Sequence, residues 1–566
     1  MAYEDHLTKY ALSFNKFLDK FPKIYNIYAI AVISCISGMM FGIDISSMSA
    51  FLSDDHYLAY FDSPDSTMQG FITSAMALGS FFGSIASTFF SEPFGRRSSL
   101  ILCSMGWMIG AAIQSSVQNR AQLIIGRFIS GFGIGFGSSV APVYCSELAP
   151  RKIRGFIGGI FQLSVTLGIL IMFYVSYGLH FINGTASFRI AWGLQIVPGI
   201  LLFLGCFILP ESPRWLAKQK QWENSEMIIA KIQAKGNKES PEVLTEFAEI
   251  KEQVVLDENI KAFTYAQLFS KKYITRTFHA IFAQIWQQLT GMNTLMYYIV
   301  YTFQMAGYTG NTMLVSSSIQ YVLNVVMTIP ALFMMDFVGR RPVLIIGAIM
   351  MMAFQFAVGG LLGSYGVHTD SVGGNDTVRI LIPDEHKDAA RGVIACCYLF
   401  VCSFACSWGV CIWVYCSEIW GENAARQRGV SVTTAANWIM NFAIAMFTPS
   451  AFKNITWKTY MVFATFCGAM AIHVFFFFPE TKGKRLEEIG QLWDKKIPAW
   501  KTKSYQPEVP IEIPEDTEKP QVSHTENISE NDCHSEILDA RPEDAEKAEI
   551  SHLENVSKND SGHSFT

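Results

Sequence analysis

Asp44 and Arg127 are opposite charges set inside long apolar runs. An ionised side chain at the centre of a membrane helix costs about 2.5–3.5 kcal/mol on insertion scales, so each calls for a partner. At about 1.5 Å per helical residue, both lie about 9 Å inside the same face of a membrane. A shared depth lets each offset the cost of the other. One reading is a salt bridge that packs two helices. The other is a carboxylate that takes up and releases a proton as its arginine approaches and withdraws.

A second set is uncharged. Gln162, Gln287, Gln288, Asn293, Asn324 and Asn437 all fall deep within apolar runs. Amides offer donors and acceptors without charge, which suits a ligand studded with hydroxyls. Phe41, Trp408, Trp413 and Trp438 can supply apolar faces for a sugar ring. The bland reading is that the amides are hydrogen-bonding glue between helices.

A third set lies at run ends. Arg96, Arg97 and Arg154 can face Glu147 and Glu211, and Arg340, Arg341 and Arg428 can face Glu418 and Glu480. Such pairs suit a lock that forms when one side is shut and parts when it opens; positive charge that merely sets orientation is the alternative. Tyr297 and Tyr298, near the other end of their run, read equally as a gate or as an interfacial aromatic belt. Gly126, Gly131, Gly133, Gly135 and Gly137 mimic a dinucleotide loop, but no strand precedes them and close helix packing is expected. Gly291 should break its run just after the glutamine pair.

The elements that position these residues are apolar stretches of about twenty residues, long enough to span a bilayer as helices. Twelve are expected, over 27–50, 68–90, 98–117, 121–146, 155–180, 188–209, 277–304, 313–334, 342–365, 390–416, 428–451 and 457–478. The composition agrees: 50% of residues are hydrophobic and 16% charged, against about a quarter charged in soluble domains. A soluble enzyme is excluded. The net charge of −5 leaves no basic footprint for nucleic acid. The twelve cysteines sit mostly inside apolar runs, which excludes a secreted disulfide scaffold. No metal-ligand spacing, cofactor motif or nucleophile–base set is present.

Lys and Arg set the orientation. Residues 51–67 and 305–312 contain neither, while the alternate loops carry Arg96/Arg97, Arg151/Lys152/Arg154, Arg340/Arg341 and Arg426/Arg428. The positive-inside rule therefore puts both termini and the Lys-rich segment 210–276 in the cytoplasm. Loop 366–389, with Arg379 and Lys387, is the exception. Residues 1–23 lack a cleavage site, so no removable signal peptide is expected. The expected organisation is a cytoplasmic segment 1–23, a six-helix half 24–209, a linker with short helices 210–276, a second half 277–480, a cytoplasmic segment 481–500 and a disordered tail 501–566.

The chain repeats. Glu92-Pro93-Phe94-Gly95-Arg96-Arg97 matches Asp336-Phe337-Val338-Gly339-Arg340-Arg341; Tyr144-Cys145-Ser146-Glu147 matches Tyr415-Cys416-Ser417-Glu418; Pro210-Glu211 matches Pro479-Glu480. Two halves of parallel topology point to a transporter with its site between them, near the midplane.

With Pro142-Val143-Tyr144-Cys145-Ser146-Glu147, Pro210-Glu211-Ser212-Pro213-Arg214, Gln287-Gln288-Leu289-Thr290-Gly291-Met292-Asn293 and Pro479-Glu480-Thr481-Lys482-Gly483, residues 20–500 resemble the sugar porters of the major facilitator superfamily. Within these they resemble the fungal hexose transporters, particularly the high-affinity glucose transporters of yeasts. The resemblance implies an all-α fold of twelve transmembrane helices in two pseudo-symmetric halves. It implies that Gln162, Gln287, Gln288, Asn293, Asn324 and Asn437 bind the sugar, that Phe41 and Trp408 line the pocket, and that Asp44 and Arg127 form the pair used by proton-coupled members. Glu92 stands where the family usually has Asp, and several yeast facilitators keep an acid at the position of Asp44.

The expectation is monosaccharide uptake across the plasma membrane by alternating access, with glucose favoured and xylose admissible, coupled to a proton. A facilitated-diffusion carrier and a transporter-like glucose sensor are the alternatives. The expected partners are the monosaccharide, a proton and the lipid bilayer, without nucleic acid, in a functional monomer. Asn183, Asn375 and Asn454 lie in sequons near outward loops and are candidates for glycosylation.

Overall fold

Short polar side chains start several of the helices. Asn26 accepts from the backbone N–H groups of Tyr28 and Ala29, Asp65 from Met68 and Asn119 from Gln122, satisfying donors that a helix start leaves open. The computed structural model describes residues 10, 12–49, 51–52, 54–150, 153–258, 263–308, 310–372, 377–420, 423–484 and 486–505. The tail beyond 505 and Asn375 lie outside the described residues.

The first six spans are Ile27–Ser49, Ser66–Phe94, Arg96–Ser115, Arg120–Leu148, Arg154–Leu179 and Ala186–Ile208. The seventh comes in two pieces, Ile274–Leu289 and Met292–Met305. The remaining spans are Gly310–Val338, Arg340–Tyr365, a tenth running from Lys387 to Glu418 with a break at Ser407, Asn423–Asn454 and Lys458–Phe477. Among the described residues 11 helices are long and apolar enough to cross a membrane; the seventh span falls short because each piece is short. Gly291 makes that break. Its φ of 81° is left-handed, and a Cβ there would meet the Phe463 ring at 2.8 Å.

The halves repeat one another around two long interfaces, the second span against the eleventh and the fifth against the eighth. Within the first half, the second and fourth spans pack backbone to backbone. A Cβ on Gly131 would overlap the Met76 carbonyl, and one on Gly135 the Ser80 carbonyl. Ser80 Oγ donates to the Gly131 carbonyl at 2.9 Å. This is the small-residue packing of membrane helices, and it accounts for the glycine run.

The linker holds helices Pro213–Lys218, Trp222–Gln233, Pro241–Glu258 and Tyr265–Leu268, with a small core of Ala217, Ile229, Ala230, Val243, Ile250 and Val254. At the other end of the bundle, Val367–His368 pairs antiparallel with Ile380–Leu381. The Ile382 N–H then bonds the Met305 carbonyl at 2.9 Å, tying that hairpin to the end of the seventh span.

Overpacking a filled core costs about 1–3 kcal/mol, and more where the backbone cannot yield. Gly131→Leu is therefore expected to lower the thermal midpoint of the detergent-solubilised protein markedly or abolish its monodisperse peak. Gly178→Leu, where a Cβ meets nothing within 4 Å, should leave both unchanged. Equal behaviour of the two variants would contradict the packing account.

Candidate functional site

The basic end of the bundle is built twice. Arg96 donates to Glu147 through Nε at 3.0 Å and Nη2 at 2.9 Å, and Arg340 to Glu418 at 3.2 and 2.9 Å. Ser212 Oγ supports Glu147 as Thr481 Oγ1 supports Glu418. Glu211 accepts from the Arg96 N–H and Glu480 from the Arg340 N–H, both at 2.9 Å, so each carboxylate caps a helix start. It sits where a glycine side chain would be: Gly95 (φ 91°) and Gly339 (φ 106°) have no room for a Cβ beside Glu211 and Glu480. Burial pushes the Glu211 carboxyl above its usual range, against the pull of Arg97 and the backbone N–H groups.

Arg96–Glu147 and Arg340–Glu418 pair within their own halves, as the spacing allowed, but the other expected partners need correction. Arg97 presents only its N–H to Glu211; its guanidinium goes to Asn15 and Asp19. Arg341 gives its N–H to Glu480 and its guanidinium to the Phe475 carbonyl. Arg428 faces neither Glu418 nor Glu480. It reaches Glu92 of the second span at 2.6 Å, across the two halves. Arg154 opens the fifth span, and the next residue, Gly155, lies against Asp336 and Arg340 of the second half. Tyr265 of the linker spans the same seam, bonding the Ile85 carbonyl and Ser431 Oγ at 3.2 and 3.1 Å.

Midway along the bundle is a cavity of about 40 Å³. Phe41, Ile45, Gln162, Val165 and Ile169 line it from the first half; Gln287, Gln288, Asn293, Asn324, Phe404 and Trp413 are among its lining from the second. The amides are wired together. Gln288 Nε2 donates to Asn437 Oδ1 at 2.9 Å, and Asn293 Nδ2 to Gln288 Oε1 at 2.6 Å. Asn437 Nδ2 donates to Gln287 Oε1 and Gln284 Oε1 at 2.8 and 2.7 Å. Asn437 thus stands one layer behind the wall, as the post to which three glutamines are tied. Trp408 is also behind the wall, fully buried with its Nε1 on the Leu344 carbonyl, and Trp413 takes the lining place instead. Trp438 packs edge-on against Phe41 at 4.6 Å and donates to Ser138 Oγ at 3.0 Å, joining the eleventh span to the fourth. Gln284 was missed by sequence reasoning. Its signal was its place one turn before Gln287 and Gln288, on the same helix face.

Arg127 Nη2 bonds Asp44 Oδ2 at 2.9 Å and the Thr73 carbonyl at 3.1 Å, with both ionic side chains fully buried. The Tyr298 hydroxyl faces the same Thr73 and donates to the Ala445 carbonyl at 2.9 Å. Tyr298 also leaves the helical conformation (φ −123°, ψ 28°). Tyr297 and Tyr298 are buried at 1% and 0% exposure, which overturns the interfacial-belt alternative. Both belong to the second piece of the seventh span and lie near the Asp44–Arg127 pair. At this end Asn183 and Asn454 are exposed.

A bundle of repeated six-helix halves around a polar midplane cavity is the architecture of a secondary transporter. A family model described as sugar (and other) transporter matches residues 30–493, and the chain belongs to that family. It is 66% identical over 529 residues to high-affinity glucose transporter 1 of Candida albicans, covering 93% of this chain and 97% of the relative. To the high-affinity glucose transporter of Kluyveromyces lactis it is 58% identical over 496 residues, covering 88% and 90%. The structure of the proton:xylose symporter XylE bound to 6-bromo-6-deoxy-D-glucose matches with a TM-score of 0.70 at 25% identity, over 82% of this chain and 99% of XylE. The chain is a multi-pass membrane transporter with the major facilitator fold, as its motifs implied, and not an enzyme.

Removing a buried amide that serves several partners costs about 1–3 kcal/mol. Asn437→Ala is expected to raise the KM for labelled sugar about tenfold or more at unchanged surface expression, although Asn437 does not line the cavity. An unchanged KM would show that the amide network does not hold the site.

Proposed function

We propose that this chain imports glucose and related hexoses across the plasma membrane, as a monomer, by alternating access coupled to one proton per sugar. The names of its relatives support glucose, and the linked amides support a polyhydroxylated ligand. Xylose lacks one hydroxymethyl group and fits the same donors. The distribution of Lys and Arg supports cytoplasmic termini and hence an inner end at Arg96 and Arg340.

Sugar enters when the outer piece of the seventh span, which carries Tyr297 and Tyr298, swings away. The glutamines then exchange their bonds with one another for bonds to sugar hydroxyls. Closure brings Tyr298 back against Thr73, and the inner seam at Glu92–Arg428 and Tyr265 parts while the Arg–Glu pairs keep the inner end of each half rigid. The observation that carries proton coupling is the fully buried Asp44–Arg127 pair, whose arginine also holds the Thr73 carbonyl near the Tyr298 hydroxyl. This contact lets the outer gate position the arginine, and the arginine's position sets whether the carboxylate holds a proton. One proton driven by the membrane potential supplies about 2.3 kcal/mol per 100 mV, enough for about a 40-fold sugar gradient.

Addition of sugar to starved cells expressing this carrier alone is expected to alkalinise the medium, and a non-metabolised analogue should accumulate. Asp44→Asn should retain exchange of sugar across the membrane while losing both responses. Uptake without alkalinisation or accumulation in the unaltered protein would leave facilitated diffusion. Absence of uptake would leave a sensor.

A further inference from the structure

The segment before the first span carries a surface that transport does not use. Residues 12–18 are helical, as is Tyr10. One side of this helix packs on the bundle, with Asn15 and Leu18 buried. Arg97 donates to Asn15 Oδ1 and Asp19 Oδ1, both at 2.9 Å, and Asn15 Nδ2 donates to the Phe94 carbonyl at 2.9 Å. The helix is fastened in this way to the turn at Gly95. Lys23 Nζ is committed to the carbonyls of Leu18 and Phe207, at 2.9 and 2.7 Å.

A second side is aromatic. Tyr10, Phe14 and Phe17 recur at i, i+4 and i+7, one stripe of a helix, and Phe21 follows just past the helix end; they are exposed by 70%, 39%, 49% and 39%. The Phe21 ring meets Phe207 at 5.2 Å, and Phe207 meets Phe203 at 5.4 Å along the sixth span. The stripe therefore continues the aromatic end of a membrane-crossing helix. Lys16, on the third side of the helix, and Lys20, just past its end, are both exposed.

We propose that residues 12–21, with Tyr10, form an interfacial anchor that lies in the cytoplasmic leaflet and binds anionic phospholipid headgroups. Continuity with the sixth span places the four rings at the level of the acyl boundary, where aromatic side chains of amphipathic helices insert. Lys16 and Lys20 meet the negative surface of that leaflet. Arg97 makes the anchor consequential. Its N–H bonds Glu211 at 3.3 Å and its neighbour Arg96 holds Glu147, so a helix held by lipid steadies the inner end of the first half. The naming of the leaflet rests on the orientation given above. A nanodisc offers the same lipid on both faces, so the test below does not depend on it.

The test is hydrogen exchange of the full-length protein in nanodiscs of phosphatidylcholine alone and of phosphatidylcholine with phosphatidylserine. Amides of residues 12–20 are expected to exchange about tenfold or more slowly in the anionic discs, the order expected of two lysines near a charged surface. Lys16→Glu with Lys20→Glu should erase the difference between lipids. Phe14→Ser, Phe17→Ser and Phe21→Ser together should erase the protection in both. Equal exchange of the unaltered protein in the two lipids would overturn the proposal. So would protection found only when two copies share a disc, which would make a second copy the occupant. If the serine variant fails to fold, the comparison of lipids with the unaltered protein still decides.

Discussion

Polar atoms enclosed by apolar helices must be satisfied inside the protein, because hydrocarbon supplies no partner. This constraint organises the whole molecule. Asp44 and Arg127 meet because neither is tolerable alone at that depth. Even so the match is incomplete: Asp44 Oδ1, Arg127 Nε and Nη1, Gln284 Nε2 and Asn324 Oδ1 are buried without a hydrogen-bond partner. A buried group left unmatched costs about 1–3 kcal/mol. The unmatched atoms lie at the two places to which the proposed function assigns the proton and the sugar.

At the basic end four buried carboxylates meet the same constraint, two in each half. Glu211 and Glu480 occupy the space freed by Gly95 and Gly339 and cap the helices that begin there. Arg96 and Arg340 close bidentate pairs with Glu147 and Glu418. Each half is tied off by its own charges. The polar contacts between the halves at this end include Glu92 with Arg428, Tyr265 with Ile85 and Ser431, Ser431 with the Ser84 carbonyl, and Gly155 against Asp336.

The sequence displayed the fold almost completely, since span length, charge asymmetry and the internal repeat are all local or periodic signals. The break at Gly291 was legible because glycine within an apolar run has few other uses. The meeting of Asp44 and Arg127 followed from depth alone. What depth does not give is azimuth. Arg428 lies level with Glu418 and Glu480 yet points to the other half, and Trp408 and Trp413 differ by more than one turn in which only one faces the cavity. The role of Asn437 as a post behind the wall was equally hidden, because a residue's order of layers depends on how helices are rotated against their neighbours. The glycine run in the fourth span was read correctly because close approach needs no direction beyond the helix face.

The bond from Trp438 to Ser138 joins the two halves at the level of the cavity. Together with the edge-on contact to Phe41 it holds the halves against one another beside the cavity. If uptake is proton-driven as proposed, a carrier that lost this join would open toward both compartments at once and short-circuit the ionic battery. The indole at this position therefore bears on the cell's energy economy as much as on the passage of any single sugar.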